Sequence, residues 1–180
     1  MIVPIEKLAE RLRPVSDEQG ANASVAVLLS SIGGRLCVLL AKRVKDARDP
    51  WSGQIALPGG KKEADDRYLR ETVIRETSEE TGIVLDDTWR FLGVLPALHS
   101  IPKPEIKVLP FVNFKGQEPT VKLNKNELED HYWVSIEELV ASRRTAEFDF
   151  GKQPAFVLRG IVVWGMTYRI LENLLCLLNT

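Results

Sequence analysis

Residues 60–83 read GKKEADDRYLRETVIRETSEETGI, and the spacing within this stretch decides the fold. Its apolar residues recur at helical intervals and predict a helix over 66–81. Asp65 or Asp66 is placed to cap the N-terminus of this helix, because short carboxylates accept hydrogen bonds from free N–H groups there. Gly82 stands where a left-handed residue commonly ends a helix.

Three glutamates share one face of the predicted helix. Glu76, Glu79 and Glu80 lie three and four positions apart, and like charges at that spacing destabilise an isolated helix by about 0.2–0.5 kcal/mol per pair. Only Arg75 stands beside them to offset this repulsion. One interpretation is a solvated acidic surface; the other is a site where carboxylates and substrate phosphates hold Mg²⁺.

The rest of the chain mixes strands and helices without strict βαβ alternation. Apolar runs predict a helix at 5–13, a hairpin over 24–40 that turns at Gly33-Gly34, strands at 54–57, 91–95, 106–114 and 132–134, a glycine turn at 58–60, a short helix at 136–141 and a last helix from Trp164 to Leu178. This order favours an α+β fold, a mixed β-sheet sandwiched between helices.

Composition limits the partners. The 180 residues are 44% hydrophobic and 27% charged with a net charge of -1, which predicts a single domain and no overall basic field that attracts nucleic acid. No apolar run approaches the ~20 residues that span a bilayer, so no membrane partner is predicted. The N-terminus has no secretory pattern, and a cytoplasmic location is the expectation.

Gly60, Asp66 and the segment from Arg75 to Ile83 resemble the box of the Nudix hydrolases. That box reads Gly, five residues, Glu, seven residues, Arg-Glu, an apolar residue, any residue, Glu-Glu, any residue, Gly and an apolar residue. Here Asp66 replaces Glu, eight residues separate it from Arg75, and Thr77 replaces the apolar residue. The resemblance implies a Nudix fold and one Nudix hydrolase domain over residues 1–180.

The resemblance also implies roles for the acidic residues. In the family, positions that match Glu76, Glu79, Glu80 and the carbonyl of Gly60 bind Mg²⁺ or Mn²⁺, which neutralises the diphosphate and activates water. Arg75 matches the box arginine, whose implied role is to hold a carboxylate by a bidentate pair; an ordinary surface pair is the alternative.

Two acidic residues are candidates for the general base. Glu79 lies beside the implied metal ligands, and Glu127 lies in an acidic stretch that is similar to the loop preceding a Trp-containing strand in the family. Spacing along the chain does not choose between them, because a base is identified by its distance from the attacking water.

Three further segments resemble the coenzyme A pyrophosphatase branch of the family. They are Leu39 to Arg43, Leu57 to Gly60 and Ile161 to Thr167, the last of which looks like the segment that opens the final helix in that branch. The implied reaction is metal-dependent hydrolysis of a nucleoside diphosphate linked to another moiety, with coenzyme A or its derivatives first. The alternatives are ADP-ribose, dinucleotide or oxidised dNTP hydrolysis, and a non-catalytic nucleotide-sensing module.

The implied partner is therefore a small nucleotide diphosphate, and a homodimer is left open. Arg43 and Arg48, with Lys42, are candidates to bind the substrate phosphates, as arginine forks do; solvated loop cations are the alternative. Trp51 is a candidate to stack on a base or to cover the core.

Overall fold

The computed structural model describes residues 5–48 and 52–178. The elements are α1 (Ile5–Arg11), β1 (Ala23–Ile32), β2 (Arg35–Arg43), β3 (Ile55–Ala56), β4 (Gly59–Lys61), α2 (Leu69–Thr81), β5 (Arg90–Val94), β6 (Leu98–His99), β7 (Lys107–Lys115), β8 (Leu128–Ser135), α3 (Ile136–Ala141), β9 (Arg143–Phe148), β10 (Gly151–Leu158), β11 (Ile161–Trp164) and α4 (Gly165–Leu178).

β1 lies at the centre of a mixed eight-stranded sheet. The order β3-β2-β1-β7-β5 forms its main path, while β4 pairs with β1, β6 with β7 and β8 with β2. β1 and β7 run parallel, with Leu28 opposite Asn113. The predicted hairpin is confirmed, and Gly33 and Gly34 at its turn have φ of 57° and 74°, which suits a tight turn between twisted strands.

The two faces of this sheet bury separate cores, because successive strand residues point to opposite sides. Val27 and Leu29 pack in a core with α1, α3 and α4. Ala26 and Leu28 pack with α2 on the other face. The sheet therefore lies between helices, and the predicted α+β sandwich is confirmed.

Three local predictions were wrong. Helix α2 begins at Leu69, and its N-cap residue Tyr68 makes no side-chain capping bond, because Asp66 instead binds Arg75. Gly59–Lys61 forms a strand on β1 rather than a turn. Trp164 ends strand β11 and does not belong to the last helix, which begins at Gly165.

A second sheet of β9, β10 and β11 lies between α3 and α4 in the chain. It was not predicted from the sequence. β9 has no buried residue, and Pro154 interrupts β10, so neither strand carries a run of alternating apolar residues. Among the described residues, no helix is long and apolar enough to cross a membrane.

Candidate active site

The last turns of α2, which carry Glu76 and Glu80, lie against strand β4. The Oε2 of Glu80 accepts a hydrogen bond of 2.9 Å from the backbone N–H of Gly59, and Glu80 is only 3% exposed. A Cβ atom on Gly60 would lie 2.4 Å from Oε1 of Glu76. The two glycines therefore let the strand approach both carboxylates closely.

Arg75 organises the outer side of this carboxylate group. Its guanidinium donates to both carboxylate oxygens of Asp66, at 3.3 and 2.9 Å, and also to Oε1 of Glu76 at 2.8 Å and Oε2 of Glu79 at 3.3 Å. The hydroxyl of Thr72 donates to Asp66 at 3.0 Å. Arg75 thus forms its two-pronged pair with Asp66 and contacts Glu76 and Glu79 through one guanidinium nitrogen.

Burial governs the protonation of the two inner glutamates. It raises the pKa of Glu80 to about 8, although the Gly59 N–H and the nearby Arg43 oppose the shift. Burial likewise raises the pKa of Glu76, against the hydrogen bond from Arg75. The charge of Glu76 raises the pKa of Glu80 further, so the two carboxylates repel each other although Arg75 contacts one and Arg43 lies near the other.

Glu127 reaches this pair through a loop that covers the end of α2. The N–H of Asn124 donates to the backbone oxygen of Glu80 and the N–H of Lys122 to that of Thr81, both at 2.8 Å. The side-chain amide of Asn124 then donates to Oε1 of Glu127 at 2.7 Å. The charge of Glu127 raises the pKa of Glu80 further.

Asn124 was missed from the sequence, because its backbone N–H binds a free carbonyl at the end of a helix distant in the chain and its side chain binds Glu127. An Asn three residues before the acidic stretch is a weak signal for such a cap. Glu79, the other candidate base, has a side chain that is 55% exposed and pairs with Arg75.

The predicted phosphate-binding cations occupy different surroundings. A guanidinium nitrogen of Arg43 lies 3.9 Å from Oε1 of Glu80, beside the carboxylates. The side chain of Arg48 is 90% exposed and pairs with Asp46 of its own loop, and Lys42 pairs with Glu129. Trp51 lies outside the described residues.

The donors fit a divalent metal ion. Glu76, Glu80 and the backbone of Gly60 offer hard oxygen atoms beside a glycine where a Cβ would leave no room, and a divalent cation would offset the repulsion between the two carboxylates. The described part of the chain contains no group of three acidic, His or Cys side chains arranged to hold a metal ion. Mg²⁺ is usually bound through one or two carboxylates plus substrate phosphates.

Comparison with known proteins places this geometry in a family. Residues 20–154 match the model of the NUDIX domain. The "Uncharacterized Nudix hydrolase NudL" of Pectobacterium atrosepticum is 28% identical over 174 residues, which cover 93% of this chain and 87% of that protein. The "Peroxisomal coenzyme A diphosphatase ndx-8" of Caenorhabditis elegans is 29% identical over 137 residues, which cover 75% and 57%.

Solved structures share the fold. The NUDIX domain of Shewanella oneidensis NrtR, complexed with ADP ribose, superposes with a TM-score of 0.57 at 17% identity over 96% of each chain. A C. elegans Ap4A hydrolase superposes with a TM-score of 0.52 at 20% identity, over 64% of this chain and 80% of that one. Because the family model spans most of the chain and its box glutamates meet at β4, the protein belongs to the Nudix hydrolases and is a pyrophosphohydrolase.

Proposed function

We propose that this protein hydrolyses the diphosphate bond of coenzyme A or a derivative, with Mg²⁺ or Mn²⁺ bound by Glu76, Glu79, Glu80 and the carbonyl of Gly60. The observation that carries the proposal is that buried Glu80 and half-buried Glu76 lie against the backbone of Gly59 and Gly60. Similarity to a coenzyme A diphosphatase supports the substrate class.

The chain's own residues would orient the reaction. Gly59 fixes Glu80 through its N–H, and Arg75 fixes Glu76. A bound divalent ion supplies neutralisation of the diphosphate charge and a lowered pKa of the attacking water. One P–O bond of the anhydride breaks, water adds to one phosphorus, and the proton of the water goes to a carboxylate base.

We favour Glu127 as that base over Glu79. The carboxylate of Glu79 already accepts a hydrogen bond from Arg75, whereas Glu127 is bound by the neutral amide of Asn124. A carboxylate that is already held by a guanidinium has less hydrogen-bonding capacity left for the attacking water. The kcat values of Glu127→Gln and Glu79→Gln distinguish the two residues.

Arg43 and Arg48 are proposed to bind the phosphates. The position of Arg43 beside Glu80 supports a contact with the reacting diphosphate. Arg48, which is exposed on a loop, would bind a phosphate farther along the substrate. Trp51 is proposed as a substrate contact from the sequence alone. A single domain over residues 1–180, a cytoplasmic location and a homodimer are likewise proposed from the sequence alone.

A substrate panel tests the proposal. The protein is incubated with Mg²⁺ or Mn²⁺ and with coenzyme A, ADP-ribose, a dinucleoside polyphosphate or an oxidised dNTP, and the products are identified by mass. The proposal expects 3′,5′-ADP and a phosphopantetheine fragment, and no products when EDTA is in excess. If another substrate has a kcat/KM at least ~10-fold higher, a gap of ~1.4 kcal/mol, the coenzyme A assignment is wrong.

The second candidate is a module that binds a nucleotide without cleaving it. The NrtR domain, whose structure was solved with ADP ribose, gives a structural precedent for nucleotide binding in this fold. The presence of Glu76, Glu79 and Glu80 disfavours this candidate, because a binding module needs no metal-activated water. Binding of ADP-ribose with no turnover of any diphosphate in the panel would favour it.

A further inference from the structure

A cleft with a volume of about 400 Å³ lies between β3 and β11, apart from the glutamates of α2. Its lining includes Lys42, Ser52, Gln54, Ile55, Val162 and Trp164. This volume is within the range of small-molecule sites, which is roughly 300–1,000 Å³. Its surface is mixed, with polar groups from Lys42, Ser52 and Gln54 beside apolar groups from Ile55, Val162 and Trp164.

One wall of the cleft is fixed by aromatic packing. The ring of Trp164 lies with its centroid 4.6 Å from that of Phe148 and 5.3 Å from that of Phe150. The two phenylalanine rings are stacked, with an interplanar angle of 7°. Rings packed in this way lose little further freedom when a ligand binds beside them, so Trp164 offers a preformed apolar surface.

The polar groups of the cleft carry no uncompensated charge. Lys42 pairs with Glu129. Glu129 is the extra residue on β8 at the point where the pairing of β8 with β2 shifts register, between Lys42 and Arg43. The side-chain amide of Gln54 offers two donors and an acceptor. This lining suits an uncharged ligand with amide groups better than a phosphate, which would need an available cation.

The cleft lies at the same end of β2 as the carboxylates. Lys42 of the cleft directly precedes Arg43, whose guanidinium lies beside Glu80. Along the following chain, Gln54 of the cleft is five residues from Gly59, which binds Glu80. Five residues span at most ~17 Å. This is an upper limit on the separation, so an extended substituent on the diphosphate is long enough to reach from the carboxylates into the cleft.

We propose that the cleft lined by Lys42, Gln54, Val162 and Trp164 binds the non-nucleotide arm of the substrate, which is attached to the phosphate farther from the nucleoside. The arm is elongated, uncharged and amide-bearing, with the chemistry of pantetheine. Its amides would bond to Gln54 and its apolar carbons would pack against Trp164 and Val162. This inference rests on the proposed hydrolysis of coenzyme A and names the residues that distinguish its arm from a ribose or a second nucleoside.

The test fills the cleft and compares two substrates. Val162→Phe adds a ring inside the cleft, and Val157→Phe makes the same change on the neighbouring strand at a residue that does not line it. Coenzyme A is compared with the methyl ester of 3′-phospho-ADP, which keeps the nucleotide and diphosphate and lacks the arm. The wild-type protein should prefer coenzyme A by at least ~10-fold in kcat/KM, or ~1.4 kcal/mol.

Val162→Phe should abolish this preference and leave hydrolysis of the methyl ester within ~2-fold of wild type, because only uniform arm binding is removed. Val157→Phe should retain the preference for coenzyme A. Equal hydrolysis of both substrates by the wild-type protein would overturn the inference while leaving diphosphate hydrolysis intact. Absence of hydrolysis of either substrate would instead refute the proposed function.

A second measurement does not depend on how well Val162→Phe folds. Pantetheine, which has no phosphate, should inhibit the wild-type protein competitively on whichever diphosphate it hydrolyses. Gln54→Leu, which is close in size and lacks the amide, should weaken this inhibition. If pantetheine does not inhibit, or inhibits Gln54→Leu as strongly as wild type, the cleft does not bind the arm.

Discussion

Glu80 accepts a hydrogen bond from the backbone N–H of Gly59, and this contact ties the last turn of α2 to strand β4. Gly59 has a φ of 153°, and a Cβ there would lie 2.2 Å from the carbonyl oxygen of Ser24 on β1. Only glycine permits this approach. The position of Glu80 is therefore fixed by the pairing of β4 with β1.

Gly60→Ala should impair activity more than stability. The added Cβ would lie 2.4 Å from Oε1 of Glu76, and the carboxylate, at the end of a flexible side chain, would move away. A displacement of ~1 Å at a catalytic group can cost ~100-fold in rate, so we expect kcat to fall at least ~10-fold with a small change in Tm. Gly116→Ala, where nothing lies within 4 Å, is the matched control and should change neither.

Asp66→Asn should destabilise the protein in a pH-dependent manner. Hydrogen bonds from Arg75 lower the pKa of Asp66 from 3.8 to about 2. Asp66 thus contributes stability that is fully present above about pH 4 and is lost as the pH falls toward 2. Since Arg75 is partly exposed and screened by water, we expect a loss of about 1–2 kcal/mol at pH 7.

Urea unfolding of both proteins at pH 7 and near pH 3 measures this difference. The gap in unfolding free energy between wild type and Asp66→Asn should shrink at the lower pH. Asp17→Asn removes an exposed pair with Arg13 and should cost no more than ~1 kcal/mol. A constant gap at both pH values would contradict the role given to Asp66.

The helix and its glutamates were predictable from the sequence because they depend on local spacing. Helical periodicity placed Glu76 and Glu80 on one face, and Gly82 adopts the left-handed conformation expected at the end of α2, with a φ of 68°. The N-terminal boundary was wrong because Asp66 binds Arg75 instead of capping the helix. The N–H of Leu69 at the helix start is instead bound by Glu18, from a distant part of the chain.

The cleft and its small sheet were not predictable in the same way. Ile161–Trp164 is a short apolar run whose length fits either a strand or the start of a helix. Its pairing with β10 decides the outcome, and this pairing brings Trp164 toward Lys42 and Gln54. Contacts between residues more than 100 positions apart leave no local pattern.

Glu127→Gln and Glu79→Gln distinguish the two candidate bases. We expect Glu127→Gln to lower kcat by at least ~100-fold, because a positioned general base typically contributes ~10²–10⁴-fold. Glu79→Gln should have a smaller effect. In wild type, kcat should rise from neutral to alkaline pH, because a metal-activated water loses its proton over that range. A larger loss in Glu79→Gln would reverse the assignment.

Arg43→Ala and Arg48→Ala should affect different kinetic parameters. Arg43 lies beside Glu80, so its loss should lower kcat/KM on every diphosphate substrate by at least ~10-fold. Arg48→Ala should raise KM for coenzyme A more than it lowers kcat, because it would remove a uniform binding contact. Arg13→Ala, a change to another exposed arginine, is the control, and an Arg48→Ala enzyme indistinguishable from it would remove Arg48 from the proposed site.

The kcat of Glu80→Gln on the best diphosphate substrate, measured with saturating Mg²⁺, tests the central claim most directly. Gln keeps the shape of Glu and removes its charge, so the fold should persist while kcat falls at least ~100-fold. Glu71→Gln, on the same helix but paired with Arg67 near the surface, should retain wild-type kcat. A folded Glu80→Gln protein with the wild-type rate would contradict a diphosphate hydrolase built on the carboxylates of α2.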